Sequence, residues 1–552
     1  MPLLRLQEPT VTRIVKRGPA VLPVAGYTAR RPAPRGGSLQ RVDQAPAQPT
    51  EQAPRPKPRD YSITGPEGAV AIAAGLADAE WYRPPIGADR LRSLTERTNW
   101  RAARDTAFWF VLLVGTGTAA FISLGTWYAL PAFAAFGALY GGSADARWHE
   151  HGHGTAFRTK WANDIVYYIA SFMLLREPTL WRWSHFRHHS DTIIVGRDAE
   201  IGFRRPTPRW KVAVAYLNLI KGPRMVWVTA QHAAGRIDGT TRELVPKEDF
   251  RRLAWEARAF IAILAGVIAW AVASGSVVPL LFVGLPSFYG AWMVVFFGIT
   301  QHAGLQEDVL DHRLNTRTVY INPVFRFLYL NMNYHVEHHM FPTVPYYNLP
   351  ALHKEIKAYL PPPRTSMFAA YRELFDALRR QRLDPTWELP VPDFSDGPYV
   401  PKAQPKGLST PPGPGALAVD NGRPSQPPQA SGAEAAALEP TDLGLVSSLV
   451  VGEVRRIDHA GNTYALYRLG DDEFALTDGL CTHAQTHLAD GHFEGGVIEC
   501  PKHNGRFDVR TGEAIRRPPK LPLCTYPVEV ADGRVVAYLG LGKLAAATAG
   551  ER

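Results

Sequence analysis

The 552-residue chain has only three cysteines. That is too few for a disulfide framework and points to a reducing compartment. Its net charge of +10 is not gathered into a Lys/Arg-rich block, so no nucleic-acid partner is expected. There is no internal repeat. The Arg-containing start is followed only by the short apolar GPAVLPVAG (18–26), without a cleavage-site pattern, so no signal peptide is expected. The most informative absence is local: residues 106–144 and 259–306 contain no Asp, Glu, Lys or Arg.

A helix crosses a bilayer in about 20 residues. Runs of 39 and 48 uncharged residues each hold two spans and a turn, with turns at GTWYALP (125–131) and SGSVVPLLFVGLP (274–286). Two buried core hairpins are the alternative, disfavoured because charge-free runs of this length are rare in soluble cores. Four spans put both termini and segment 145–258 on one face. That segment carries 19 Lys/Arg against 12 Asp/Glu, and the first 105 residues carry 17 against 10. Positive flanks stay inside, which makes this face cytoplasmic and the protein a multi-pass component of the inner (cytoplasmic) membrane. The expected fold class is multi-domain. A Pro/Arg-rich disordered tail (1–60) precedes an α-helical integral membrane domain of four spans (61–394). A Pro-rich linker (395–440) then leads to a small all-β domain (441–552), where short apolar/polar runs are broken by Gly and Asp.

The histidines fall into three boxes beside the apolar runs. His149 and His153, in HEHGH, are i and i+4. His185, His188 and His189, and likewise His335, His338 and His339, are i, i+3 and i+4, so each box presents one helical face. Imidazole suits iron, zinc and copper, and eight such ligands suit a two-metal site. HExxH alone reads equally well as a zinc-protease helix with Glu150 as base; two further boxes on the same side of the membrane argue against it. Glu150, Glu337 and Asp191 are expected to orient imidazoles, and His151 lies off the ligand face. A second constellation is Cys481-Thr-His483 and, sixteen residues on, Cys500-Pro-Lys-His503. Two Cys and two His in paired loops form the pattern of a [2Fe-2S] cluster with thiolates on one iron and imidazoles on the other. A zinc site is the alternative, and its spacing reads differently.

HEHGHGTAF (149–157), HFRHHSDT (185–192) and NYHVEHHMFPTVPYYNLPALH (333–353) resemble the membrane fatty-acid desaturase superfamily, over about residues 61–390. GRDAEI (196–201) and QHAGLQEDVLDHRLNTRTV (301–319) resemble its hydrocarbon-oxygenase branch linked to rhizopine catabolism. The resemblance implies two non-haem irons held mainly by His, with O2 as co-substrate attacking an unactivated C–H bond. It also implies a ninth His at the end of the fourth span: His302 matches, with His312 the competitor. CTHAQTHLADG (481–491) and CPKHNGRFD (500–508) resemble Rieske ferredoxins. That implies a Rieske [2Fe-2S] cluster on Cys481, His483, Cys500 and His503. Thr486 and Lys502 stand where quinol-oxidising Rieske proteins carry an extra disulfide.

The 49 residues after His503 leave no room for the mononuclear iron domain of a Rieske aromatic oxygenase, so catalysis belongs in the membrane half. The expected function is a membrane di-iron oxygenase that hydroxylates or demethylates a lipid-like or small apolar substrate with electrons from its own Rieske domain. Acyl desaturation by the same electron path is the alternative. A non-enzymatic membrane-anchored electron carrier is a third reading, against which the intact boxes speak. No GxGxxG after a strand and no flavin motif is present, so a separate NAD(P)H-dependent flavin reductase is the expected partner.

Overall fold

The computed structural model of the chain describes residues 59–77, 81–390, 440–483, 486–501, 505–516, 519–541 and 543–544. The tail expected at 1–60 and the linker expected at 395–440 therefore lie outside the described residues but for their last positions, and so do Lys502 and His503.

Among the described residues two helices are long and apolar enough to cross a membrane, within Asp89–Ile122 and Lys247–Ser274. Their cores are α1 (Asn99–Ile122) and α4 (Phe250–Ser274). Thr98 caps α1 by accepting from the Arg101 N–H, and Gly275 at φ +60° ends α4. Apolar side chains such as Val111, Ile122 and Val272 are exposed along these helices, a surface suited to lipid.

Of the four spans expected from the sequence, two are long apolar helices among the described residues, and the other two are not established. Each long helix returns through an irregular arm. The first arm is Ala129–Gly137 and a π-helical segment, Ala138–Ser143, running into α2 (Ala144–His153). The second is two short turns, Val278–Phe282 and Pro286–Tyr289, followed by α5 (Trp292–His302). Pro279 and Pro286 each stand in the first turn of a short helix, and Gly284 at φ +92° turns the chain between them. The arms touch backbone to backbone. A Cβ on Gly290 would lie 1.9 Å from the Gly137 carbonyl oxygen, and one on Gly141 2.1 Å from that of Pro286. Small residues permit such an approach in membrane helices.

Below the arms lie α2, α3 (Pro178–Ser190) and α6 (His335–Met340), which carry the three histidine boxes. Buried Arg147 fixes α2. It donates to the Phe327 carbonyl oxygen (3.2 Å) and lies over the Trp109 and Phe327 rings, 5.3 and 5.1 Å from their centroids. The C-terminal part is all-β. A five-stranded and a three-stranded sheet accompany a small antiparallel sheet of His492–Glu494, Val497–Glu499, Arg506–Asp508 and Ala514–Arg516.

The close arm contact carries a test. Gly290→Ala and Gly141→Ala should each lower stability by about 1–3 kcal/mol through overpacking. Gly266→Ala, with nothing within 4 Å of its Cβ, should not. Thermal unfolding in detergent, followed by tryptophan fluorescence, checks both.

Candidate metal centre

Nine histidines converge in two groups: His149, His153, His185, His189 and His338; and His188, His302, His335 and His339. In each group the ligand atoms lie within 4.8 Å of one another. The Nε2 atoms of His153, His185 and His189 form a triangle with sides of 3.1, 3.1 and 3.2 Å. His338 Nε2 stands 3.2 Å from His189 Nε2, and His335 Nε2 is 3.1 Å from both His302 and His339. A neutral imidazole has one N–H, so such a knot of ring nitrogens is poorly satisfied by hydrogen bonds and well satisfied by lone pairs around a cation. The Nε2 of His149 is buried with no hydrogen-bond partner, and the donor set fits two metal ions. Burial, reinforced by neighbouring rings, holds His149, His153, His189, His335, His338 and His339 well below the usual imidazole range. That keeps them in the neutral form a ligand needs.

The outer nitrogens are oriented by groups that box spacing does not reveal. His188 Nδ1 is 2.9 Å from Asp198 Oδ2, and His185 Nδ1 is 3.4 Å from Glu200 Oε2. The Asn315 carbonyl oxygen lies 2.9 Å from His302 Nδ1, and Thr192 Oγ1 3.2 Å from His339 Nδ1. Burial opposes charge on His188, but Asp198 outweighs it and pushes the ring up to about 8. Asp198 and Glu200 belong to the GRDAEI segment. Two acids about ten residues past a metal helix were the signal available in the sequence.

The acids expected to do this work are elsewhere. Glu150 accepts from Thr155 Oγ1 (2.7 Å) and the Tyr346 N–H (3.2 Å), tying two loops together. Glu337 accepts from Thr318 Oγ1 (2.5 Å) and is paired with His353. Both side chains are taken up by these contacts rather than by a ligand imidazole. Asp191 takes Arg187 and Arg197. His302 joins the second group, whereas His312 stacks on Trp81 at 4.2 Å. His151 faces Asn163, and His232 lies between Glu177 and Asp238.

In the β domain Cys481 and Cys500 are buried within one core, and His483 is exposed. Their loops close alike, with Cys481 N–H donating to the Thr486 carbonyl oxygen (2.9 Å) and Cys500 N–H to that of Gly505 (2.7 Å). A Cβ on Gly491 would meet the Glu499 carbonyl oxygen at 2.2 Å, so only glycine fits between the loops. The domain packs on the helical part. Arg97 grips Glu499 with two bonds, 2.7 and 3.2 Å, and the side chains are 7% and 2% exposed. Arg506 takes the same carboxylate at 2.6 Å. Burial works against charge on Glu499, but the two guanidiniums hold its carboxyl well below the usual range.

Residues 125–371 match the family model for fatty acid desaturases, and residues 439–527 match that for the Rieske [2Fe-2S] domain. The C-terminal part is 42% identical over 94 residues to the ferredoxin component of the naphthalene 1,2-dioxygenase system of Pseudomonas putida, covering 17% of this chain and 89% of that protein. It is 41% identical over 76 residues to the anthranilate 1,2-dioxygenase ferredoxin subunit of Burkholderia cepacia, covering 14% of this chain and 69% of that one. A solved complex of reduced oxygenase and oxidized ferredoxin in carbazole 1,9a-dioxygenase contains a chain 38% identical, covering 19% of this chain and 96% of that chain, with a TM-score of 0.18.

Metal analysis of the full chain should find about four irons for every two acid-labile sulfides, two irons belonging to the cluster. His338→Ala should lower the iron by up to about two and leave the sulfide unchanged. Asp198→Asn should make the non-cluster iron about 10–100-fold easier to remove with a chelator. Stoichiometric zinc in place of the non-cluster iron contradicts the assignment.

Proposed function

Through residues 125–371 the chain belongs to the fatty acid desaturase family, and through 439–527 it carries a Rieske [2Fe-2S] domain; from that premise we propose an O2-dependent membrane di-iron oxygenase. It hydroxylates or demethylates an unactivated C–H carbon of a lipid-like or small apolar substrate, with electrons from its own Rieske domain. The observation that carries this reading is the convergence of nine histidines from α2, α3, α5 and α6 into two adjoining groups.

In this reading the nine imidazoles hold two irons, and Cys481, His483, Cys500 and His503 hold the cluster. Bound iron would supply O2 activation, for which the C–H bond and NAD(P)H give two electrons each. The chain's residues do the rest. Asp198 and Glu200 keep the outer protons of His188 and His185 in place, so the inner nitrogens remain lone-pair donors. Burial of eight of the nine histidines excludes bulk water. With the return arms completing two membrane hairpins, the termini and the histidine boxes share one side, and the excess of Lys and Arg in the flanking segments favours the cytoplasmic one. A separate NAD(P)H-dependent flavin reductase feeds the cluster. Acyl desaturation remains the second reading, supported by the family match, since the same histidines serve both outcomes. An electron carrier without catalysis would have no use for nine converging buried imidazoles.

Product mass spectrometry under 18O2, with candidate lipids and methyl ethers, decides between them. Label in the product is the expected result. An unlabelled product two hydrogens lighter means desaturation, and reductant consumption with unchanged substrate contradicts both enzymatic readings.

A further inference from the structure

Several ion pairs join the β domain to the helical domain; Arg92–Glu453, Arg158–Glu494 and Lys520–Glu248 are partly or largely exposed, whereas the pair at Glu499, the residue before Cys500, is buried. A buried ion pair persists only where both charges are well satisfied, and Glu499 is satisfied by one guanidinium from each domain, Arg97 and Arg506. The peripheral pair Arg158–Glu494 (2.8 Å) has side chains 68% and 57% exposed and contributes little. A second contact reaches the first histidine box. Arg516, which pairs across strands with Arg506, lays its guanidinium against Gly154, where a Cβ would lie 3.3 Å from Nη2. Gly154 directly follows His153. The small sheet whose strand Val497–Glu499 ends beside Cys500 thus meets the helical domain at Arg97 and, through Arg516, the residue that follows His153. His483 is by contrast exposed to solvent.

We infer that the Rieske domain works as a seated, two-sided relay: electrons enter at the exposed His483 edge and leave through the Cys500–Glu499–Arg97 contact, with the domain remaining on its seat. Arg97 is the positioning residue of that seat. This deepens the function proposed above and rests on it. Each transfer moves one electron. The cluster passes from its reduced to its oxidised form, and the histidine-held centre gains that electron. Two transfers match the hydride of one NAD(P)H, split by the flavin of the reductase. No bond or proton changes at Arg97 or Glu499.

The test locks the domain in place. Thr95 Oγ1 and His492 Nδ1 meet across the contact at 3.3 Å, and neither residue belongs to either metal set. The full-length holoprotein with Thr95→Cys and His492→Cys, held in lipid nanodiscs, is treated with a short thiol-to-thiol cross-linker; the single-cysteine variants report reaction at native thiols. Cross-linking should go nearly to completion. Adding Arg97→Ala should slow it about tenfold or more, because buried Glu499 keeps Arg506 of its own sheet but loses its partner across the contact, and Arg97→Lys should restore part of it. The locked protein should keep at least about half of the unlocked rate at which O2 reoxidises the reduced cluster. A cross-linking rate indifferent to Arg97→Ala overturns the seat. So does a locked protein whose cluster still accepts electrons from the reductase but passes them on tenfold more slowly. If the function reading itself is at fault, the unlocked protein makes no product from a chemically reduced cluster and O2, and the cross-linking result stands apart from that.

Discussion

Nine imidazoles crowded into one space turn ring nitrogens on one another unless cations sit among them, and the helical domain is arranged around that constraint. Four helices of different length each bring one face to the same volume. The π-helical segment at 138–143 and the glycines of the return arms let α2 and α5 come close enough to share it. The outer nitrogens are then fixed by acids, a backbone carbonyl and a hydroxyl, so that the inner ones cannot turn away. Burial that would be costly for protonated rings favours the neutral ligand form.

Much of this was legible in the residue spacing. The i, i+3, i+4 phasing of HFRHH and HVEHH on a helix leaves little freedom over which face the rings share, and the long charge-free runs mark α1 and α4. His302 is indicated by the resemblance to the desaturase superfamily, with His312 as the competitor. What spacing could not supply was the set of partners to the outer nitrogens. Glu150 and Glu337 are adjacent to ligands in sequence, but one residue along a helix is a turn of about 100°, which carries them off the ligand face. Asp198 and Glu200 reach the rings because the chain after α3 folds back, a tertiary fact that no local pattern encodes. The return arms are less regular than the long helices: Pro279, Gly284 and Pro286 fall in the turn expected at 274–286, and absence of charge says only that a segment tolerates lipid.

The β domain changes meaning once its contacts are known. From sequence it is a donor on a tether, and reach is the quantity that matters. In the structure Glu499 is shared by Arg97 of the helical part and Arg506 of its own sheet. The domain is therefore fastened at the residue beside a cluster cysteine. Fusion of the two halves thus serves geometry as well as local concentration.

The central claim is that two histidine-held irons receive their electrons in cis from the Rieske cluster. Mössbauer spectroscopy on chain enriched in iron-57, reduced stepwise without O2 by NAD(P)H and a flavin reductase, tests it most directly. The account predicts that the histidine-held irons become ferrous in the intact chain and stay ferric under the same conditions in Cys500→Ser, where the thiolate iron is disturbed. Equal reduction of those irons in both proteins would contradict it.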